Sequence, residues 1–253
     1  MKFGNLQILK ELLRSRFIEN DYNYLLGPLW SLLNPLILVS VLYFIFKDNF
    51  GSSIEGYPLY ILSGVVTVNF VSNAVTKAAT LLTSSQEVLL NTLTPPLALV
   101  FSELLFTFFR FGIELLLCLL LSLLWGFPHP GSFVSLFLLA IGLFCLAAGV
   151  SLCISLAFCV VRDVLYLWSF AVRILIFVTP VFYSLTEVPE RTALLVRWLN
   201  PLTPFVTSFQ SILVYHHAPE VSTICHCLLA ASFFLIIGLG LFKTFHRSMI
   251  EQA

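Results

Sequence analysis

Residues 133–161 read FVSLFLLAIGLFCLAAGVSLCISLAFCVV, 29 positions without one charged side chain. As an α-helix this run is about 43 Å long, whereas the hydrocarbon core of a bilayer is about 30 Å thick. Continuous apolar character over that length suits lipid, where an uninterrupted helix satisfies every backbone polar group internally. The same reading extends outward to Ala98–Trp125 before it and Val164–Tyr183 after it, and then to Leu29–Phe46, Leu59–Leu82 and Val221–Phe242. Six spans are predicted. The third and fourth exceed the minimum, so they tilt, kink or project beyond the lipid.

The composition agrees. The 253 residues are 59% hydrophobic and 10% charged, with mean hydropathy +0.98; a soluble domain carries roughly 25% charged residues. Thirteen basic and thirteen acidic residues give no net charge, which argues against nucleic acid as a partner. No cleavable signal is expected, because the first apolar run is too long for one and follows a charged segment. Basic residues bias one side: Lys2, Lys10, Arg14, Arg16, Lys77 (counted with the second connection), Arg162, Lys243 and Arg247 against Lys47, Arg191 and Arg197. By the positive-inside rule both termini are cytoplasmic.

Two segments are not spans. Residues 5–18 (NLQILKELLRSRFI) place Leu6, Leu9, Leu12, Leu13 and Phe17 at helical spacing, with Lys10, Arg14 and Arg16 largely off that stripe. This predicts an amphipathic helix in the cytoplasmic interface. Residues 184–220 hold Pro189, Pro201, Pro204 and Pro219 among apolar runs. They predict two short helices broken at Asn200-Pro201, a re-entrant or interfacial hairpin on the external side. The fold class is all-α and polytopic in one domain over 1–253: 1–27 interfacial, 28–183 the first five spans, 184–220 the hairpin, 221–253 the sixth span and tail.

Collinear motifs carry a resemblance. Leu26-Gly27-Pro28-Leu29-Trp30, Asn34-Pro35-Leu36 and Tyr43-Phe44-Ile45-Phe46 open the first span; Gln86–Pro96 (QEVLLNTLTPP) follows the second; Val161-Arg162-Asp163 precedes the fifth. Thr179-Pro180-Val181-Phe182-Tyr183, Val188-Pro189 and Leu199-Asn200-Pro201-Leu202 follow it. Together they resemble the membrane subunits of ABC-2 type exporters, most closely the polysaccharide and polyol-phosphate branch that exports O-antigen of lipopolysaccharide, capsule or teichoic acid. Where that family has basic residues and an FPR-like step after span two, this chain has Asn91-Thr92 and Thr94-Pro95-Pro96.

The resemblance implies a homodimer in the bacterial inner membrane, served by two ATPase subunits that bind ATP and Mg. This chain itself has no GxxxxGK[ST] loop and is expected to bind no cofactor or metal. It also implies contact with the ATPase through the interfacial helix (Arg14, Arg16), Ser85, Gln86, Glu87 and Asn91, and the Arg162-Asp163 corner. The first and fifth spans are implied to wall the conduit. Aromatic rings that stack on sugar C–H faces are sought there and on the second span: Trp30, Tyr43, Phe46, Phe70, Phe170, Phe177 and Tyr183. For each ring, ordinary packing or an interfacial belt is the competing reading.

Charges within spans are functional by default. Glu103, Arg110 and Glu114 share a face of the third span with Thr107 and are candidates to pair with Arg173 of the fifth. A structural ion network and a proton relay both fit. Cys225-His226-Cys227, near His216 and His217, matches no common zinc spacing and is read as packing. No nucleophile–base pair or HExxH motif supports catalysis. The leading expectation is the permease of an ABC exporter for a lipid-linked polysaccharide, with membrane lipids around it. The alternatives are an ABC-2 exporter of a drug or small lipid, an ion-coupled transporter, and an integral-membrane enzyme.

Overall fold

The structure, a computed structural model, describes residues 9–15, 29–46, 54, 56–85, 95–124, 126 and 130–250. Its elements are helical: α1 (residues 9–15), α2 (Leu29–Phe46), α3 (Tyr57–Ser84), α4 (Pro96–Ser122), α5 (Pro130–Val160) and α6 (Val164–Val178). After a 3-10 turn at Leu185–Glu187 come α7 (Glu190–Leu199), α8 (Thr203–Leu213) and α9 (Val221–Ile250). No strand occurs among the described residues.

Among the described residues, four helices are long and apolar enough to cross a membrane: Tyr57–Ser84, Pro96–Ser122, Gly131–Val160 and Val221–Phe245. The predicted first and fifth spans are shorter apolar helices, Leu33–Ile45 and Val164–Val178. The predicted fifth span continued to Tyr183, but α6 stops at Val178. Pro180 disfavours helical geometry in the residue before it, and Thr179 is accordingly extended (φ −72°, ψ 139°). Lys77 also differs from its reading as a connecting residue: it lies inside α3, about 10 Å from the helix end.

Helix α3 is the hub. It packs against α2, α4, α5, α6 and α8 and is buried along nearly its whole length. Its start is set by Gly56, whose φ of 64° suits a residue without Cβ, and by Pro58 in the first turn, where a missing N–H costs nothing. Its hydroxyls turn back on their own helix, Ser63 Oγ donating to the Tyr60 carbonyl and Thr67 Oγ1 to that of Ser63.

The hairpin region splits into unlike halves. Helix α7 has no buried residue, whereas α8 buries Phe205, Val206, Phe209, Ile212 and Leu213 against α3, α5 and α9. At 10 and 11 residues neither is long enough to cross a bilayer.

Helices α5 and α9 cross at Gly149 and Gly238. A Cβ at Gly149 would fall on the Phe234 carbonyl, and one at Gly238 would stand 2.5 Å from the Gly149 carbonyl oxygen. Close backbone approach through small residues is how helices associate where lipid offers no hydrophobic drive. Gly149→Ala should therefore lower stability by about 1–3 kcal/mol through overpacking, read as a lower melting temperature in detergent. Gly112→Ala, where a Cβ would meet nothing within 4 Å, should be neutral or stabilising by up to about 1 kcal/mol.

Candidate functional site

The chain leaves the helical ladder at Thr179, and the segment to Phe182 is nevertheless buried. Carbonyls released from a helix inside a packed bundle need new donors. Helix α3 supplies two: Tyr57 OH donates to the Phe182 carbonyl at 2.9 Å and Tyr60 OH to that of Tyr183 at 2.8 Å. Helix α8 supplies a third, Gln210 Nε2 donating to the Pro180 carbonyl at 2.9 Å. Asn200 joins both breaks: its Nδ2 donates to Thr179 Oγ1 at 2.7 Å, and its Oδ1 accepts from Leu202 N at 3.0 Å. Gly64 leaves room for Val181, whose Cα would lie 3.2 Å from any Cβ there. Ser122 Oγ at the end of α4 donates to the Leu213 carbonyl at 2.5 Å. The segments quoted as TPVFY and LNPL thus form one polar latch.

A second polar feature lies between α2, α3 and α4: a cleft of about 310 Å³ reached by Lys77, Arg110 and Glu114. Lys77 Nζ stands 3.8 Å from Glu103 Oε1, and Lys77 and Arg110 each sit 5.7 Å from the Phe106 ring centre. Glu103, Thr107, Arg110 and Glu114 share one face of α4 as their spacing required. The cation from a neighbouring helix is Lys77 of α3 and not Arg173, which is exposed on α6 and has no ion-pair partner among the described residues.

The remaining expected residues are scattered. Phe170 and Phe177 are about 60% exposed on α6, which has no buried residue. Phe177 lies 5.7 Å from Phe182, between ring centres. Tyr183 is half-buried and donates to the Val178 carbonyl at 2.7 Å. Tyr43 is half-buried beside Phe44 and Tyr57. Phe70 does not join these rings: it is buried, with its ring centre 4.6 Å from that of Phe111. Trp30 and Phe46 belong to α2, but their side chains lie outside the described residues, as do Arg16, Gln86, Glu87 and Asn91. Arg14 is exposed on α1, Ser85 caps α3 through its N–H to the Leu81 carbonyl, and Arg162 and Asp163 form the exposed turn between α5 and α6. His226 stacks on Trp198 at 4.8 Å, and Cys227 is buried. Sequence reasoning missed Tyr57, Tyr60 and Gln210; their only signal was a hydrogen-bonding group inside an apolar run.

A bundle of long apolar helices with a buried latch and an intramembrane charge cluster defines a multi-helix membrane protein. Residues 9–214 match the profile of the family described as ABC-2 type transporter, and the chain belongs to that family. Its relatives include the O-antigen export system permease protein RfbA of Klebsiella pneumoniae, 24% identical over 196 residues that cover 74% of this chain and 72% of that protein. The protein of the same name from Myxococcus xanthus is 28% identical over 200 residues, covering 77% and 75%.

The latch generates a stability prediction. Asn200→Ala leaves the Thr179 hydroxyl and the Leu202 N–H without partners at buried positions, each worth about 1–3 kcal/mol. Tyr183→Phe removes a single half-buried bond, about 1 kcal/mol. Thermal unfolding in detergent should therefore rank wild type above Tyr183→Phe and Tyr183→Phe above Asn200→Ala.

Proposed function

We propose that this chain is the permease subunit of an ATP-driven exporter that moves a lipid-linked polysaccharide, such as O-antigen, across the bacterial cytoplasmic membrane. The observation that carries the reading is the family match over residues 9–214, joined to the O-antigen export for which its relatives are named. Capsule or teichoic acid is cargo of the same chemical kind.

In this reading the six expected spans, α2 to α6 and α9, form half of a conduit closed by a second copy. ATP and Mg are held by two partner ATPases. Both termini face the cytoplasm, and the α7–α8 pair enters from the external side. Force from the ATPase enters through Arg14 and Arg16, the stretch holding Ser85, Gln86, Glu87 and Asn91, and the Arg162-Asp163 corner. The geometry that supports α6 as a conduit wall is its side chains: Tyr166, Leu167, Phe170 and Phe177 are all more than 60% exposed, a surface open to lipid or to a second copy. Trp30, Tyr43 and Phe46 lie on α2, the other proposed wall, with Tyr183 at the external end.

The test is export in cells deleted for the chromosomal copy, with surface glycan as the readout. Wild-type chain should restore export, co-purify with an ATPase and lose activity when that ATPase carries an inactive phosphate-binding loop. Phe170→Ala with Phe177→Ala should slow export severalfold while leaving the melting temperature within a few degrees of wild type, because both rings are exposed. Export that persists without any ATPase would overturn the reading. So would restored transport of a drug with no glycan exported.

A further inference from the structure

The α2–α3–α4 cleft has polar capacity that the fold does not use. Thr107 is 5% exposed and its hydroxyl has no hydrogen-bond partner among the described residues. Asn69 and Asn73 of α3 line the cleft, and their carboxamides make no hydrogen bond among the described residues. Asn34 of α2 faces them. On α3 and α4 these groups lie towards the helix middles: Arg110 is about 21 Å from the start of α4 and about 18 Å from its end. Polar side chains at such depth in a spanning helix are costly and mark a pathway or ligand.

The donor and acceptor balance selects the ligand. Arg110 only donates, a Glu114 carboxylate only accepts, and the carboxamides do both. Glu114 lies one turn from Arg110 and Glu103 lies by Lys77, so the cluster's formal charges cancel. A phosphate would meet Arg110 but set its acceptor oxygens against the Glu114 carboxylate. A ring bearing several hydroxyls satisfies both kinds of partner at once. Phe70 and Phe111, packed against each other, form the apolar floor of the same cleft. At about 310 Å³ the cleft is at the small end of ligand pockets, about 300–1,000 Å³.

The same three helices also carry an apolar groove of about 260 Å³, bounded by Leu36, Val39, Tyr43, Leu62 and Leu121 and lying about 10 Å further along α3 and α4. A polar basin and an apolar groove on one seam suit an amphiphile.

We infer that the α2–α3–α4 seam is a binding site for a neutral sugar carried on an apolar chain, the sugar seated among Asn34, Asn69, Asn73, Thr107, Arg110 and Glu114. As a way-station for cargo it rests on the proposed export of a lipid-linked glycan. Binding itself is testable without export. The full chain in lipid nanodiscs is titrated with n-hexyl β-D-glucoside, n-hexyl phosphate and hexane-1,2-diol, with saturation-transfer NMR as the readout. The glucoside should bind saturably and more tightly than the other two. Asn73→Leu, an exposed position, and the isosteric Thr107→Val should each weaken it about fivefold at an unchanged melting temperature. Tighter binding of the phosphate would overturn the inference. So would glucoside binding no tighter than the diol, or equal binding in wild type and both variants. Loss of ATPase association would sink the exporter reading and leave these affinities untouched, and failed glucoside binding would leave the export assay untouched.

Discussion

At Thr179 the backbone stops being a helix while remaining inside the protein, and the carbonyls that follow have no helical donors. In lipid such a break survives only where protein satisfies it. Tyr57, Tyr60 and Gln210 each give a hydrogen bond to that stretch, and Asn200 holds Thr179. The donors come from two separate helices, α3 and α8, so satisfying the break also fixes how those helices stand relative to α6. Phe205, Phe209 and Ile212 then seal α8 into the bundle. The apolar packing holds α8 in place, but the hydrogen bonds determine what α8 is placed against.

The same constraint explains why α3 is the hub. It is the helix whose start faces the latch and whose middle faces the charge cluster. One face presents Tyr57, Tyr60 and Gly64 to the returning chain; further along, Asn69, Asn73 and Lys77 meet α4. A helix with such contacts along its length has little surface left for lipid, and its polar residues are tolerable because they face neighbouring helices or the cleft. By contrast α9 meets α5 through glycines, where the packing is backbone on backbone and no polar group is needed.

Much of this was legible in the sequence, for identifiable reasons. Helix positions were, because apolar length is a local property: helix α2 runs over Leu29–Phe46 as read, and α3, α4 and α5 begin within three residues of the expected points. The end of α6 was not, because Val181 and Phe182 continue the apolar run and only Pro180 marks the break. The shared face of Glu103, Arg110 and Glu114 followed from helical spacing. Their cationic neighbour did not, because spacing within α4 says nothing about which helix lies beside it; that neighbour is Lys77, not Arg173. The latch was invisible as a unit. Tyr57 and Phe182 are 125 positions apart, and no local pattern connects them, although TPVFY and LNPL had each been recognisable as motifs.

Helix α6 brings these parts together. It starts directly after the exposed Arg162-Asp163 turn and ends at the latch, about 22 Å further along. Between those ends it buries no residue, packing only partly against α3 and α5. A helix held at one end and lightly along its sides can transmit a displacement as a rod, because little packing must be broken for it to shift. In the proposed export cycle, a push delivered at the corner would reach Thr179 through α6 and act on the bond to Asn200. The latch would resist first, since its hydrogen bonds are short-range and directional while the exposed face of α6 has no packing to break. On that reasoning the Asn200–Thr179 bond, and not the aromatic surface, would set how readily α6 moves in the proposed cycle.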